Sequence, residues 1–180
     1  VSPVADAIYS VTGTSAEGCI GEKTISVKVK KPFSVKVSNN VSVCAGKVVA
    51  IYADGAEQYQ WSPSEGLSNI SAASTAASPS VSTIYKVIGT DNAGCFSDTA
   101  LVNVSVLPSP TVNAGTDKII DAGTTVDLIA AVSTDVIQVN WTPTGSIFRN
   151  DPNAITVNPV STTEYTVTAL NSAGCSAVDK

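Results

Sequence analysis

This chain repeats itself with fixed spacing. In three segments, 2–19, 78–95 and 158–175, a proline precedes a tyrosine by six positions and a Gly-Cys pair ends ten positions after that tyrosine. Trp61-Ser62-Pro63 and Trp141-Thr142-Pro143 stand 80 residues apart, each tryptophan 24 residues before its tyrosine. Self-similarity at a fixed period indicates one structural unit, here of 76 to 80 residues, that recurs along the chain.

Prolines that follow valine-rich runs mark the unit boundaries, at Lys31-Pro32 and at 107–110. The sequence therefore predicts three parts. Residues 1–31 are the C-terminal strands of a preceding unit, 32–108 is a complete unit, and 109–180 is a unit that lacks most of its last strand. Because the linkers are short and proline restricts φ, we expect a semi-rigid rod.

Composition indicates strands. The 180 residues include 25 Val and 5 Leu, and only 14% are charged. β-branched residues suit a pleated, half-buried surface. Alternating stretches predict strands at 33–43, 47–53, 58–62, 83–90 and 96–107, with a weak region at 68–78. This pattern is typical of an all-β fold of tandem immunoglobulin-like β-sandwich repeats. We expect a structural core that contains Trp61, Trp141, Tyr9, Tyr85 and Tyr165. In the complete unit the tyrosine resembles a tyrosine corner, whose hydroxyl bonds a nearby backbone group.

Several function classes are disfavoured by what the chain lacks. It has no histidine and carries a net charge of −5, so a histidine base, a Cys/His metal site and a nucleic-acid surface are all disfavoured. No apolar run approaches the roughly 18 residues of a membrane span, so we expect no direct membrane insertion. No catalytic motif stands out. We therefore expect no enzyme activity, no catalytic residues, no cofactor and no metal.

A set of motifs resembles a known family. Cys44-Ala45-Gly46, 59–63 (Tyr-Gln-Trp-Ser-Pro), 78–87 and Gly94-Cys95 are similar to the Ig-like or PKD-like repeats of very large cell-surface proteins of gliding Bacteroidetes, among them gliding-motility adhesins. The resemblance covers the whole chain. It implies type IX secretion, an extracellular position on the cell surface, and a structural and adhesive filament that acts as a semi-rigid spacer in adhesion or gliding motility.

The resemblance also implies particular residues. Cys44 and Cys95 are the disulfide candidate, although a standard sandwich puts these two positions at opposite ends. The second unit has Asp121 where the first has Cys44, so Cys175 is expected to be free or to pair outside these 180 residues, and Cys19 to have its partner outside them as well. Thr99, in Asp98-Thr99-Ala100, resembles an O-glycosylation site. The disulfide framework favours an oxidising, extracytoplasmic compartment.

Partners and alternatives remain open at this point. The expected partners are neighbouring repeats of the same chain, with surface glycans or other cell-surface proteins as further candidates. Tyr52 and Tyr59 are candidate surface contacts, with ordinary strand packing favoured. The loop residues Asp54, Glu57, Asp91, Asn92 and Asp98 are candidate calcium ligands, with a solvated-turn role favoured. The alternative function is a set of accessory, glycan-binding modules in a secreted polysaccharide-degrading enzyme.

Overall fold

The fold was taken from a computed structural model, which describes residues 2–147 and 151–180. Every regular element in these residues is a β-strand. The strands form an N-terminal hairpin followed by two sandwiches, and the buried apolar residues gather in two separate clusters, one in each sandwich. The fold class predicted from the sequence, all-β with tandem immunoglobulin-like sandwiches, is confirmed.

The hairpin consists of β1 (Ala7–Thr14) and β2 (Ile20–Val27), which pair antiparallel as a two-stranded sheet. Most of its side chains are exposed, because no second sheet packs against it within the described residues. Tyr9 is half-buried and belongs to neither buried cluster. The prediction that Tyr9 is a core residue is therefore wrong: its repeat position is that of Tyr85, but no second sheet covers its hairpin within residues 2–147 and 151–180.

The first sandwich contains two sheets. One has the strand order β3-β5-β7 and the other β4-β9-β8-β6. The chain crosses between the sheets after β3, and β4 then runs parallel to β9, with Cys44 beside Leu107. The strands are β3 (Lys36–Val37), β4 (Val41–Cys44), β5 (Val49–Asp54), β6 (Gln58–Ser62), β7 (Ser74–Ala77), β8 (Thr83–Thr90) and β9 (Ser97–Leu107).

The core of the first sandwich fills the space between these sheets. Tyr85 and Val87 on β8 are fully buried, while their neighbour Ile84 faces solvent, as the two-residue period of a strand dictates. Trp61 is 1% exposed, and its indole Nε1 donates to the carbonyl oxygen of Ala72 at 2.8 Å. The buried tryptophan thus satisfies its polar atom while it packs between the sheets.

The second sandwich has a buried core of its own, and its strands form three smaller sheets. Trp141 is buried, donates from Nε1 to the carbonyl oxygen of Asn153 at 3.1 Å, and clusters with Ile155 and Val157; Tyr165 packs against that cluster. The sheets have the orders β10-β12, β11-β15-β14 and β13-β16-β17. The strands are β10 (Val112–Asn113), β11 (Val126–Ile129), β12 (Ala131–Val132), β13 (Val136–Thr142), β14 (Ser146–Ile147), β15 (Ala154–Val157), β16 (Thr166–Asn171) and β17 (Ser176–Asp179).

Candidate functional site

The three Gly-Cys turns share one backbone geometry. Each begins at a polar residue whose carbonyl oxygen accepts a hydrogen bond from the glycine N–H three positions later, at 3.0 Å in every case. Each of these glycines has a positive φ, between 67° and 83°, a conformation that side chains disfavour. The turns are therefore the same structural element used three times, in the pairs Ser15/Gly18, Asp91/Gly94 and Asn171/Gly174.

The first side chain of each turn caps it. Oδ1 of Asp91 accepts from the backbone N–H of Cys95 at 2.7 Å and from that of Phe96 at 3.0 Å. Oδ1 of Asn171 accepts from the N–H of Cys175 at 2.9 Å. Such Asx-type bonds satisfy backbone donors that the hairpin ladder cannot reach, so they fix the position of the following cysteine.

Cys44 lies at the far end of the first sandwich. It is the last residue of β4, and the parallel pairing with β9 puts it opposite Leu107, the last residue of β9. The hydrogen bond from the N–H of Ala45 to the carbonyl oxygen of Leu107, 2.9 Å, continues this pairing past the strand. Cys44 is therefore next to the point at which the chain leaves the first sandwich and enters the second.

A disulfide joins the two sandwiches at this point. Cys44 is bonded to Cys175, with an S–S distance of 2.02 Å and a Cα–Cα distance of 5.6 Å across a sequence separation of 131. The expected Cys44–Cys95 pairing is wrong, and so is the expectation that Cys175 is free or paired outside these residues. The two ends of one sandwich are too far apart to be bridged, whereas the end of one sandwich adjoins the Gly-Cys turn of the next. Cys19 and Cys95 are free and exposed.

Asn171 strengthens the same joint without covalent chemistry. It is 2% exposed, and Nδ2 donates to the carbonyl oxygen of Pro108 in the linker at 3.1 Å and to Oδ2 of Asp135 at 2.9 Å. The hydroxyl of Ser133 and the amide of Asn171 together hold the pKa of Asp135 below its ordinary value. The side chain of Asn171 thus ties the Gly-Cys turn of the second sandwich to the backbone of the linker.

A related contact connects the hairpin to the first sandwich. Nζ of Lys30 lies 3.0 Å from Oδ2 of Asp91, which is 7% exposed. The N–H of Phe96 and the ammonium of Lys30 hold the pKa of Asp91 below its ordinary value, and the same ion pair raises the pKa of Lys30. The turn residue contacts the preceding linker in both places, through an ion pair at Asp91 and through an amide at Asn171.

The candidate calcium ligands have other partners. Oδ2 of Asp98 accepts from the N–H of Val35 at 2.8 Å, and Glu57 accepts from the N–H of Asn92. Oδ1 of Asp54 accepts from the N–H of Gly55 at 2.7 Å. Within residues 2–147 and 151–180, no group of three or more cysteine or acidic residues is arranged to hold a metal ion. These three acidic side chains accept hydrogen bonds from backbone N–H groups.

The aromatic candidates differ in exposure. The hydroxyl of Tyr59 donates to the carbonyl oxygen of Ala56 at 2.9 Å and accepts from its N–H at 3.0 Å, and the ring packs against the first core. Tyr52 is 55% exposed on β5. The hydroxyl of Tyr85 donates to the carbonyl oxygen of Glu65 at 2.8 Å, a backbone group 20 positions upstream, so it does not make the local bond of the predicted tyrosine corner. Thr99 is exposed on β9.

Sequence reasoning missed the residues that build the two joints. Lys30, Pro108 and Asn171 carry no motif of their own. The available signal was the alignment of the three turns, which puts a polar residue four positions before each cysteine, in Ser15, Asp91 and Asn171.

The chain is similar to several solved structures of known proteins. No protein-family model and no curated protein matches the chain. The chain is similar to fibronectin(III)-like modules of Clostridium thermocellum CbhA, with 15% identity over 81% of this chain and 90% of that one, and a TM-score of 0.34. The chain is also similar to extracellular domains 3–5 of Drosophila OTK, with 14% identity over 96% of this chain and 68% of that one, and a TM-score of 0.40.

The chain is similar as well to immunoglobulin domains 1–5 of Sidekick-1, with 13% identity over 99% of this chain and 46% of that one, and a TM-score of 0.38. These superpositions are loose, so the fold assignment rests on the strands and sheets of this chain. Among the described residues, no helix is both long and apolar enough to cross a membrane.

Proposed function

We propose that this chain is a structural segment of an extracellular, cell-surface protein, in which immunoglobulin-like units joined end to end act as a semi-rigid spacer in adhesion or gliding motility. The proposed units are residues 1–31, the end of one unit, 32–108, a complete unit, and 109–180, a unit without most of its last strand. The chain has no catalytic role in this proposal, and its first partners are the neighbouring units of the same protein.

The observation that carries the proposal is the joint between the sandwiches. A flexible tether needs no contacts between its units, but here the Cys44–Cys175 disulfide and the Asn171–Pro108 hydrogen bond fix the turn of the second sandwich to the end of the first. A covalent bond and a buried amide at one junction restrict rotation about the linker. Restricted rotation is what a spacer needs in order to hold a terminal domain at a defined distance.

The extracellular position is supported by the same bond. Structural disulfides form and persist in oxidising compartments and are rare where thiol buffers keep cysteines reduced. Adhesion and gliding motility, with type IX secretion as the export route, are supported by the resemblance of the repeat motifs. Contacts with surface glycans or other cell-surface proteins belong to this proposal, and among the described aromatic side chains the exposed ring of Tyr52 is the most accessible to such a contact.

Small-angle X-ray scattering tests the spacer role. We expect the oxidised chain to scatter as one extended particle, fitted by a single arrangement of its sandwiches. The Cys44→Ser/Cys175→Ser double variant, whose far-ultraviolet circular dichroism is expected to match that of the native chain, should require an ensemble of arrangements. An oxidised chain that needs as broad an ensemble as the double variant would contradict the spacer proposal.

A further inference from the structure

Cys95 stands in the turn that carries a disulfide in the next sandwich. The two turns, 91–95 and 171–175, have the same glycine hydrogen bond at 3.0 Å and the same capping bond to the cysteine N–H, from Asp91 in one and from Asn171 in the other. Cys175 is bonded across the joint to Cys44 of the preceding sandwich, whereas Cys95 is an exposed thiol. Two cysteines at equivalent positions of equivalent turns thus differ in one respect: Cys175 is in a disulfide and Cys95 is a free thiol.

A second observation concerns the direction in which the turn of Cys95 faces. Asn171 binds the carbonyl oxygen of Pro108, in the linker that precedes its sandwich, and Asp91 binds Lys30, in the linker that precedes its own sandwich. Both turns therefore meet the linker that leads into their sandwich. A unit placed before the first sandwich would bring its Cys44 position toward Cys95, as the first sandwich brings Cys44 toward Cys175.

We propose that Cys95 is a covalent docking site for the cysteine that ends the second short strand of a preceding immunoglobulin-like unit, the position of Cys44. The Gly-Cys turn and the Cys44 position would then form a recurring pair that joins each unit to the one before it. This inference rests on the repeated joint geometry and not on an adhesive role, so it can fail while the spacer proposal stands.

The bond forms by thiol–disulfide exchange with a low-molecular-weight disulfide as oxidant. The Cys95 thiolate attacks one sulfur of the oxidant, and the other sulfur leaves as a thiolate, which gives a mixed disulfide. The thiolate of the incoming Cys44-type residue then attacks the Cys95 sulfur and releases the second small thiolate. Two protein thiols are oxidised, one small disulfide is reduced to two thiols, and the two protein protons end on those thiols.

The test lengthens the full chain by one unit. A second copy of residues 32–107 is inserted between Lys31 and Pro32, so that a proline still follows the last strand of each unit. The copy carries Lys47→Arg, which changes the mass of its tryptic Cys44 peptide, and Cys95→Ser, which removes its own turn cysteine. The chain is refolded with oxidised and reduced glutathione, alkylated without reduction, and mapped by mass spectrometry.

We expect the mass-marked Cys44 peptide to be linked to the Cys95 peptide, and alkylation of Cys95 to fall at least tenfold from that in the 180-residue chain. The original Cys44–Cys175 bond should persist in the same sample and reports that the sandwiches have folded. Full alkylation of Cys95 beside an intact Cys44–Cys175 bond would overturn the proposal, as would a link between Cys95 and the unmarked Cys44.

A matched control variant and a chemical cross-linking experiment complete the test. The same insertion with Cys44→Ser in the copy is the matched control, and there Cys95 should alkylate as it does in the original chain. A short bis-maleimide added to the reduced, lengthened chain reports proximity without any oxidation step. We expect it to join the marked Cys44 to Cys95, and absence of this cross-link would also overturn the proposal.

Discussion

Lys30 and Asp91 form an ion pair that connects the segment after the hairpin to the Gly-Cys turn of the first sandwich, with Nζ 3.0 Å from Oδ2. The other carboxylate oxygen of Asp91 caps the turn through the N–H groups of Cys95 and Phe96. One buried carboxylate therefore shapes the turn and also contacts the preceding linker. The equivalent Asn171 divides the same two tasks between its oxygen and its nitrogen.

Lowering the pH should weaken the Lys30–Asp91 ion pair over a pH range that the pKa of Asp91 defines. The folded-state pKa of Asp91 lies below the ordinary value of 3.8, so the unfolded chain binds the proton first as the pH falls. The stability that Asp91 contributes is complete above the unfolded pKa, and it is lost as the pH falls through the folded pKa. We expect the difference in melting temperature between the native chain and Asp91→Asn to shrink from pH 6 toward pH 3.

Asp91→Asn is the matched comparison because asparagine occupies the equivalent position in the second sandwich and keeps the Oδ1 acceptor. Asp91→Ala should lower the melting temperature further at neutral pH, since it removes the cap as well as the ion pair. Equal melting temperatures for the two variants at neutral pH would contradict the capping role.

The hydroxyl of Tyr85 gives a second prediction. Tyr85→Phe removes a buried hydroxyl that donates to the carbonyl oxygen of Glu65 at 2.8 Å. Loss of a typical intramolecular hydrogen bond costs about 0.5–1.5 kcal/mol, which denaturant unfolding of the first sandwich should show. Tyr9→Phe, at the same repeat position in the exposed hairpin, should change the unfolding free energy by less than about 0.5 kcal/mol. A similar loss in both variants would contradict a specific role for the Tyr85 hydroxyl.

Glycine packing gives a third prediction. A Cβ added at Gly89 would lie 2.5 Å from Cγ2 of Val35 and 2.6 Å from Cβ of Ala56. Neither neighbour is the far end of a flexible side chain, so Gly89→Ala should destabilise the first sandwich by about 1–3 kcal/mol, as overpacking does. Gly13, at the same repeat position, meets nothing within 4 Å, and Gly13→Ala should be neutral in the same thermal unfolding experiment. An equally neutral Gly89→Ala would show that β8 shifts to accept the methyl group.

The disulfide gives a fourth prediction. Cross-linking residues 131 apart lowers the entropy of the unfolded chain by an amount worth about 5 kcal/mol in the chain-entropy model. We expect reduction, or Cys44→Ser/Cys175→Ser, to lower the melting temperature while the far-ultraviolet circular dichroism stays that of a β-protein. Cys19→Ser/Cys95→Ser removes the two exposed thiols and should leave melting unchanged. An unchanged melting temperature after reduction would mean that the bond contributes little to folding.

The strands could be predicted from the sequence because their signals are local. The alternation in 83–90 and 96–107, with a turn of Asp, Asn, Ala and Gly between them, gives β8 and β9 to within a residue. The stretch 33–43 forms two short strands, and the weak region 68–78 forms only β7, because alanine and serine offer few large side chains to pack. Local patterns thus suffice where one strand and its turn decide the structure.

The joint could not be predicted in this way because its contacts join residues far apart in the sequence. The pairing of Cys44 depends on the parallel alignment of β4 with the end of β9, which no single segment encodes. A standard sandwich places Cys44 and Cys95 at opposite ends. When the end of one unit is placed against the start of the next, Cys44 instead comes close to Cys175. Tyr9 shows the opposite case, since its repeat position predicts burial but no second sheet packs on its hairpin in the part of the chain that the structure describes.

The parallel strand that ends at Cys44 also determines how the protein would carry a mechanical load. Tension applied at residues 1 and 180 would run along the chain to Cys44, cross the sulfur atoms to Cys175 and leave through the last strand. Residues 45–174 lie outside that path, so their unfolding would add no length to the stretched molecule. The bond keeps on the order of 430 Å of polypeptide out of reach of an external pull, and a reductant would release it.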